Sequence, residues 1–536
     1  MSTDEIRSAR RVGICLAALL IGHALLAYQM RARGIFTAGD DAAYLLLSRA
    51  LRAFSYREIQ FIGEPIAARF PPGYPALLAV LGIAGEHIRL IALAGIALSV
   101  SGLYALFDVI RRRWSADLGL LVTAVVAINP SMVVNAGAIA TEGIFTALTL
   151  WALWAADRSD HGERRSVSAG VFSILAAMTR SAGVTVPLAL GAHWLWRRNF
   201  RRAALLALGA ALTVGAWLTW TMVAPKREFR RSYIDDAVSV RAGDGSLLGT
   251  LTTRIKSNVP TYAAQTLPDE LALPLTARTK LDNVGWLALL SPLLLVGVVS
   301  AWGRWNVAVI WTAGYSMLLV LWSFTLERFL QPMVPVLIAL ILVGAWMLGA
   351  RARSRLVGTL PATLLTAFLA AFALVRTAGL SARAAECDRT VVACAPSESL
   401  DYVEGAKYIA THTPPDARLI VPKNATLYYY APRQSVFWDE AIAQDSATFL
   451  PFLERNRVTH ILTTPIYSDQ LTLARLAATH CTRFDLVKAF APETMILARR
   501  STPSGQETPA CRAIVRAAAL AEKRERSGDV NDLPAP

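Results

Sequence analysis

The chain has 536 residues, 54% of them hydrophobic and only 17% charged, with a formal net charge of +15 and a mean hydropathy of +0.41. That composition excludes a soluble globular protein and matches a polytopic membrane protein. The placement of the charge excludes a nucleic-acid footprint, because the arginines come in short knots between apolar runs and not on one face interleaved with aromatics.

In chain order, apolar runs of about 20 residues predict roughly eleven membrane spans. The first covers about Val12 to Met30. It is too long for a signal-peptide core and no small-residue cleavage site follows, so it is expected to stay as an anchor. A loop then opens with Gly39-Asp40-Asp41-Ala42-Ala43-Tyr44 and closes with Phe70-Pro71-Pro72-Gly73-Tyr74-Pro75. Gly73 to Ile83 is too short to cross and reads as a juxtamembrane helix whose start Pro71 and Pro72 fix. Spans follow near 88–110, 116–134, 141–156, 166–179, 181–196 and 203–223, then near 283–301, 305–323, 329–349 and 357–377. The knots Arg7/Arg10/Arg11, Arg111/Arg112/Arg113, Arg158/Arg164/Arg165, Arg197/Arg198/Arg201/Arg202, Arg304 and Arg351/Arg353/Arg355 then share one side, which the positive-inside rule makes cytoplasmic. Residues 31–87, about 225–282 and everything after about Arg376 fall outside.

From Ser381 the pattern alternates: helices at Leu400 to Thr411, Ala447 to Asn456 and Gln470 to Thr479, and strands at Arg418 to Pro422, Thr426 to Tyr430, Thr459 to Thr464, Leu486 to Phe490 and Thr494 to Ala498. This predicts a small extracytoplasmic α/β domain over 380–514 after a membrane domain over 1–379, with a disordered tail over 515–536. Cys387, Cys394, Cys481 and Cys511 lie beyond the last span, an even number in an oxidising compartment. Three pairings are open, and proximity favours Cys387 with Cys394 and Cys481 with Cys511. Cys15, inside the first span, reads as a small buried hydrophobe.

Acids and arginines at span ends carry the candidate chemistry. Asp40 and Asp41 read as a general base, or as carboxylates that orient an acceptor, and equally as a solvated loop in which Asp40 caps the helix beginning near Ala42 while its partner faces a cavity. Glu142, in Thr141-Glu142-Gly143-Ile144-Phe145, is either a second functional acid or ordinary first-turn dipole chemistry. Arg180 in Thr179-Arg180-Ser181-Ala182-Gly183 and Arg328 in Glu327-Arg328-Phe329-Leu330-Gln331-Pro332 sit at membrane depth, where a guanidinium fork suits a lipid phosphate. Pairing with Glu327, or snorkelling to the interface, is the structural alternative for Arg328. Arg69 and His87 are weaker candidates. No nucleotide-cradling glycine loop, nucleophile elbow or zinc-ligand spacing is present, so a sugar donor outside the cytoplasm would be lipid-linked.

Taken together and in order, these five motifs resemble the GT-C superfamily of membrane glycosyltransferases, most closely its family 39 branch of protein mannosyltransferases and aminoarabinose transferases. The resemblance covers roughly residues 10 to 380. It implies transfer of a sugar from a polyprenyl phosphate, undecaprenyl phosphate in a bacterium, to a lipid, glycan or protein acceptor at the outer face of the cytoplasmic (inner) membrane. It places Asp40 as base with Asp41 beside it and Glu142 as second acid. Arg180 and Arg328 fall on its donor-phosphate positions. The residue before Pro-Pro is often Lys or His in the family and here is Phe70, so Arg69 or another arginine is expected to meet the phosphate instead. Some members use a divalent metal near the acids, and nothing in the sequence requires one. A secondary transporter would show internal repeats and midplane acids, and neither is visible. An oligosaccharide ligase or polymerase shares the substrates but not the Asp-Asp and Pro-Pro-Gly motifs.

Overall fold

The structure is a computed structural model and describes residues 3–36, 40–83, 85–159, 163–223, 246–274, 283–323, 325–349, 355–389, 395–466, 470–504 and 508–527. It is a helical membrane body followed by a small α/β unit. Helices Thr3–Gln29, Ile88–Arg113, Val284–Arg304 and Arg355–Cys387 are continuous, and the last runs well past its expected end near residue 377. Among the described residues six helices are long and apolar enough to cross a membrane, or seven with the bent pair Ala116–Ile128 and Pro130–Ala136 as one span. The other expected spans are the shorter helices Thr141–Arg158, Glu163–Thr179, Thr185–Trp196 and Asn306–Leu321.

Burial orders these helices. The run Glu327–Gly349 has 83% of its apolar window buried, whereas Ile6–Gln29, Phe200–Val223 and Val284–Arg304 each have 17%. The first is therefore the centre of the body, and the others present their sides to lipid. The breaks have local causes. Asn129 accepts the Met132 N–H and Pro130 occupies the first helical position, which bends the pair by 67°. Arg180 is extended between Glu163–Thr179 and a 3₁₀ turn at Ser181–Val184.

The juxtamembrane helices are Asp41–Arg52 and Gly73–Leu81. Gly73 is required by packing, since a Cβ there would lie 2.5 Å from the Met178 carbonyl oxygen. The Pro-Pro-Gly-Tyr-Pro start thus rests on the backbone just before Arg180.

In the C-terminal unit, strands β1 (Leu419–Ile420), β2 (His460–Thr463), β3 (Phe484–Ala489) and β4 (Met495–Arg499) form one sheet in the order β1-β2-β4-β3. Only β1 and β2 are parallel. Phe449, Phe452, Leu473 and Ile514 pack in one core cluster, and Tyr402, Ile409 and Leu427 in another.

Three expectations change here. Residues Asn424–Tyr430 form a helix, not a strand. Asn424 is anchored by its side-chain amide, which donates to Ser435 Oγ (2.7 Å) and the Val436 carbonyl (2.9 Å), and Leu427 is buried one turn later. Tertiary contacts override the strand preference of three tyrosines. The first part of the expected tail, 515–527, is instead helical as part of Pro509–Ser527, pinned by the Cys481–Cys511 disulfide and by burial of Ile514 and Ala517, and 528–536 lie outside the described residues. Cys387 is also disulfide-bonded, and Cys394, expected as its partner, lies outside the described residues. Cys15 is exposed, facing outward from the first helix and not inward as expected.

The first loop is stitched to the sheet. Ser435 N–H donates to the Gln60 carbonyl (3.0 Å) and Ile62 N–H to the Ser435 carbonyl (3.1 Å), while Ser435 also bridges β1 at Leu419. The Phe61 and Phe437 rings stack at 3.9 Å.

Candidate active site

Four segments deliver the site: the N-terminus of helix Asp41–Arg52, the start of Thr141–Arg158, the break at Arg180 and the first turn of Glu327–Leu330. Glu142 and Arg180 pair at 2.6 Å, and both are nearly buried, with side-chain exposures of 3% and 12%. Arg180 also donates to Thr141 Oγ1 at 3.1 Å. The Arg328 guanidinium lies 3.3 Å from Asp40 and 3.8 Å from Glu142. The acids and bases thus alternate as Asp40, Arg328, Glu142, Arg180. Phe329 lies beside both guanidinium groups, at 5.9 Å from Arg328 and 5.1 Å from Arg180. Gln331 closes the floor, within 3.3 Å of Thr146 Oγ1. Arg328 pairs across the fold and not with its neighbour Glu327.

Of the adjacent aspartates, Asp40 is the one beside the arginines, and it does not cap the helix as its position in the sequence would allow. Asp40 stands at the N-cap position but makes no side-chain cap bond, and its side chain is 32% exposed toward Arg328. Asp41 is the buried one, 6% exposed, with Oδ1 accepting the Ala42 N–H at 2.7 Å. Burial pushes the Asp41 carboxyl up to about 7, against the opposing pull of the Ala42 N–H and of Lys423.

Arg69 is not brought into the alternating chain: it is exposed on the loop, its guanidinium 6.0 Å from the Phe70 ring. His87 is likewise exposed, at the start of Ile88–Arg113. Phe70 is buried instead in an aromatic group, 5.0 Å from Tyr44, which in turn contacts Tyr74 at 4.9 Å.

Tyr74 was quoted in its motif but not assigned a role. It is 1% exposed, its hydroxyl has no hydrogen-bond partner among the described residues, and it lies in the field of Glu142 and Asp41. A buried hydroxyl without a partner costs roughly 1–3 kcal/mol.

The carboxylates of Asp40 and Glu142 are matched by guanidinium groups, and the described residues hold no cluster of three or more His, Cys, Asp or Glu able to bind a metal ion.

No family model and no curated protein sequence matches the chain. Solved structures do. The ArnT of Cupriavidus metallidurans bound to undecaprenyl phosphate is similar at 15% identity, with 92% of this chain and 99% of that one covered at a TM-score of 0.56. The oligosaccharyltransferase of Archaeoglobus fulgidus, tethered to an acceptor peptide, is similar at 12% identity, with 94% of this chain and 77% of that one covered at a TM-score of 0.56. A structure of that oligosaccharyltransferase with zinc and sulfate is also similar, at 13% identity, covering 90% of this chain and 73% of that one at a TM-score of 0.54. At these identities the likeness is one of fold, and the chain is a multi-pass membrane protein with the GT-C fold.

Proposed function

We propose that the chain is a membrane glycosyltransferase that moves a sugar from a polyprenyl-phosphate donor to an acceptor hydroxyl or amine on the extracytoplasmic face of the cytoplasmic membrane. The observation that carries this reading is Arg328. It spans two carboxylates at 3.3 and 3.8 Å and stays about a third exposed, so its fork keeps donors for an arriving phosphate while Asp40 remains accessible beside it. A fold neighbour whose structure holds undecaprenyl phosphate supports a lipid phosphate as that group.

In this reading the acceptor atom gives its proton to Asp40 and its electron pair to the anomeric carbon. The bond from that carbon to the phosphate oxygen breaks, and the polyprenyl phosphate leaves with the bonding pair. Arg328, with Arg180 behind it, offsets the charge that develops there. Glu142 holds the two arginines in place and keeps their charge local, and the Tyr74 hydroxyl donates to a sugar or phosphate oxygen. One displacement of this kind inverts the anomeric centre, as single displacements do in glycosidases.

The test is a panel of undecaprenyl-phosphate sugars presented to the purified protein with cell-envelope acceptors, reading release of free undecaprenyl phosphate. One donor turned over only in the presence of acceptor supports the assignment and names the sugar. No turnover of any donor, under conditions in which a related transferase is active, removes it.

A further inference from the structure

Helix Leu247–Thr261, in the long connection between Phe200–Val223 and Val284–Arg304, inverts the usual pattern of burial. Its inward residues are polar: Thr250, Arg254 and Asn258 recur every fourth position and are 2%, 7% and 4% exposed. Its large apolar residues Leu247, Leu248, Ile255 and Val259 stay exposed, Leu248 by 75%. A helix on a water-facing surface does the opposite, because burial of its apolar stripe is what holds it to the body.

The polar face has a defined place to go. The last carbonyls of a helix have no partner within it. Here the Asn258 side-chain amide donates to the Val320 and Trp322 carbonyls (2.9 and 2.8 Å), and the Arg254 guanidinium donates to that of Leu321 (3.1 Å). These carbonyls close Asn306–Leu321, an apolar helix on which Met317, one turn earlier, is 65% exposed. Leu247–Thr261 therefore lies across the end of a membrane-embedded helix, where hydrocarbon gives way to headgroups. The chain that follows keeps to span ends. The Asn129 amide, at the end of Ala116–Ile128, donates to the Glu270 carbonyl at 2.7 Å, and the Arg376 guanidinium donates to that of Asp269 at 2.8 Å.

At 3.6 residues per turn the rest of the helix divides into two arcs. Leu247, Leu248, Leu251, Ile255 and Val259 share the arc beside the buried face, and Thr252, Thr253 and Lys256 share the next. One helix thus meets three surroundings, which are a span end, an apolar medium and water.

We propose that Leu247–Thr261 lies in the plane of the membrane interface, with Leu248, Ile255 and Val259 against lipid acyl chains and Lys256 turned to headgroups and water. The bilayer is the occupant of the apolar arc because the helix sits on the end of Asn306–Leu321, whose exposed Met317 already belongs to the lipid-facing surface. An amphipathic helix with its basic residue on the polar side is the form that such an interface selects. The inference is independent of the reaction proposed above and stands whether or not any donor is turned over.

The test uses full-length protein in lipid nanodiscs, with Cys15→Ala removing the exposed native thiol. A nitroxide is attached at Leu248→Cys, Ile255→Cys, Val259→Cys or Lys256→Cys, all exposed positions, and its relaxation by oxygen is compared with that by an aqueous nickel chelate. At 248, 255 and 259 oxygen is expected to outweigh nickel by several-fold, at similar depths, and at 256 the ratio should reverse. Nickel dominant at all four positions would put the helix in water and overturn the proposal. Poor access of both reagents to 248, 255 and 259 would mean that another segment of the chain or a second copy covers the arc, and would overturn it equally.

Discussion

Helix Thr141–Arg158 begins at one arginine–carboxylate network and ends at another, and the two differ in how completely they are closed. At its far end Asp157, 1% exposed, is held by Arg112 at 2.6 Å and Arg113 at 2.5 Å. Asp108 is held by Arg111 at 2.6 Å and Arg112 at 3.0 Å, and the Trp154 indole donates to it at 2.7 Å. All four carboxylate oxygens there are engaged, by short bonds that tie Ile88–Arg113 to Thr141–Arg158. At the Glu142 end only the Arg180 pair is that short. Arg328 is held loosely between two acids, Asp40 is partly exposed, and the Tyr74 hydroxyl has no partner among the described residues. The same two residue types make one network in which every carboxylate oxygen is engaged and another in which Asp40 is left partly exposed beside Arg328.

Substitutions can break that contrast, starting with the largest effect. Asp40→Asn should reach the membrane in normal amounts and lose transfer by roughly a hundredfold to ten-thousandfold, as loss of a general base does. Asp157→Asn should do the reverse, because removing one partner of a buried pair costs about 3–5 kcal/mol. Detergent-solubilised protein should then melt at a markedly lower temperature, with turnover per folded molecule unchanged; lost turnover in the folded fraction would merge the two networks. Arg328→Lys keeps a charge but not the planar fork, so it should raise KM for the donor more than it lowers kcat. Tyr74→Phe removes one neutral hydrogen bond in the bound state, worth about 1 kcal/mol, and should lower kcat/KM by several-fold without loss of stability. Arg69→Ala, an exposed substitution outside the charge chain, should change turnover by about twofold or less.

Most of the membrane architecture was legible in order, because span length and apolarity are local properties of the chain. Both ends of Thr141–Arg158 and the breaks at Arg180 and Glu327 fall within a few residues of expectation. The four members of the charge chain, Asp40, Glu142, Arg180 and Arg328, were legible for a related reason: charge at membrane depth is rare enough to stand out. What escaped depends on long-range packing. Asp41 is the buried aspartate, with its Oδ1 on the Ala42 N–H, while Asp40 is left beside Arg328, and two adjacent identical residues give no sign of which will turn inward. Asn424–Tyr430 looks like a strand until Ser435 and Val436 are brought beside Asn424. Arg69, singled out for lying beside the Pro-Pro motif, is exposed on the loop and lies outside the alternating chain of acids and arginines.

The most direct test places Asp40→Asn and Asp157→Asn side by side in one donor-turnover assay. Release of undecaprenyl phosphate should be normalised to the folded fraction measured for each protein. The account predicts release abolished by Asp40→Asn and equal to wild type for Asp157→Asn. Wild-type release from Asp40→Asn would contradict it, because the open network would then be a clamp like its counterpart.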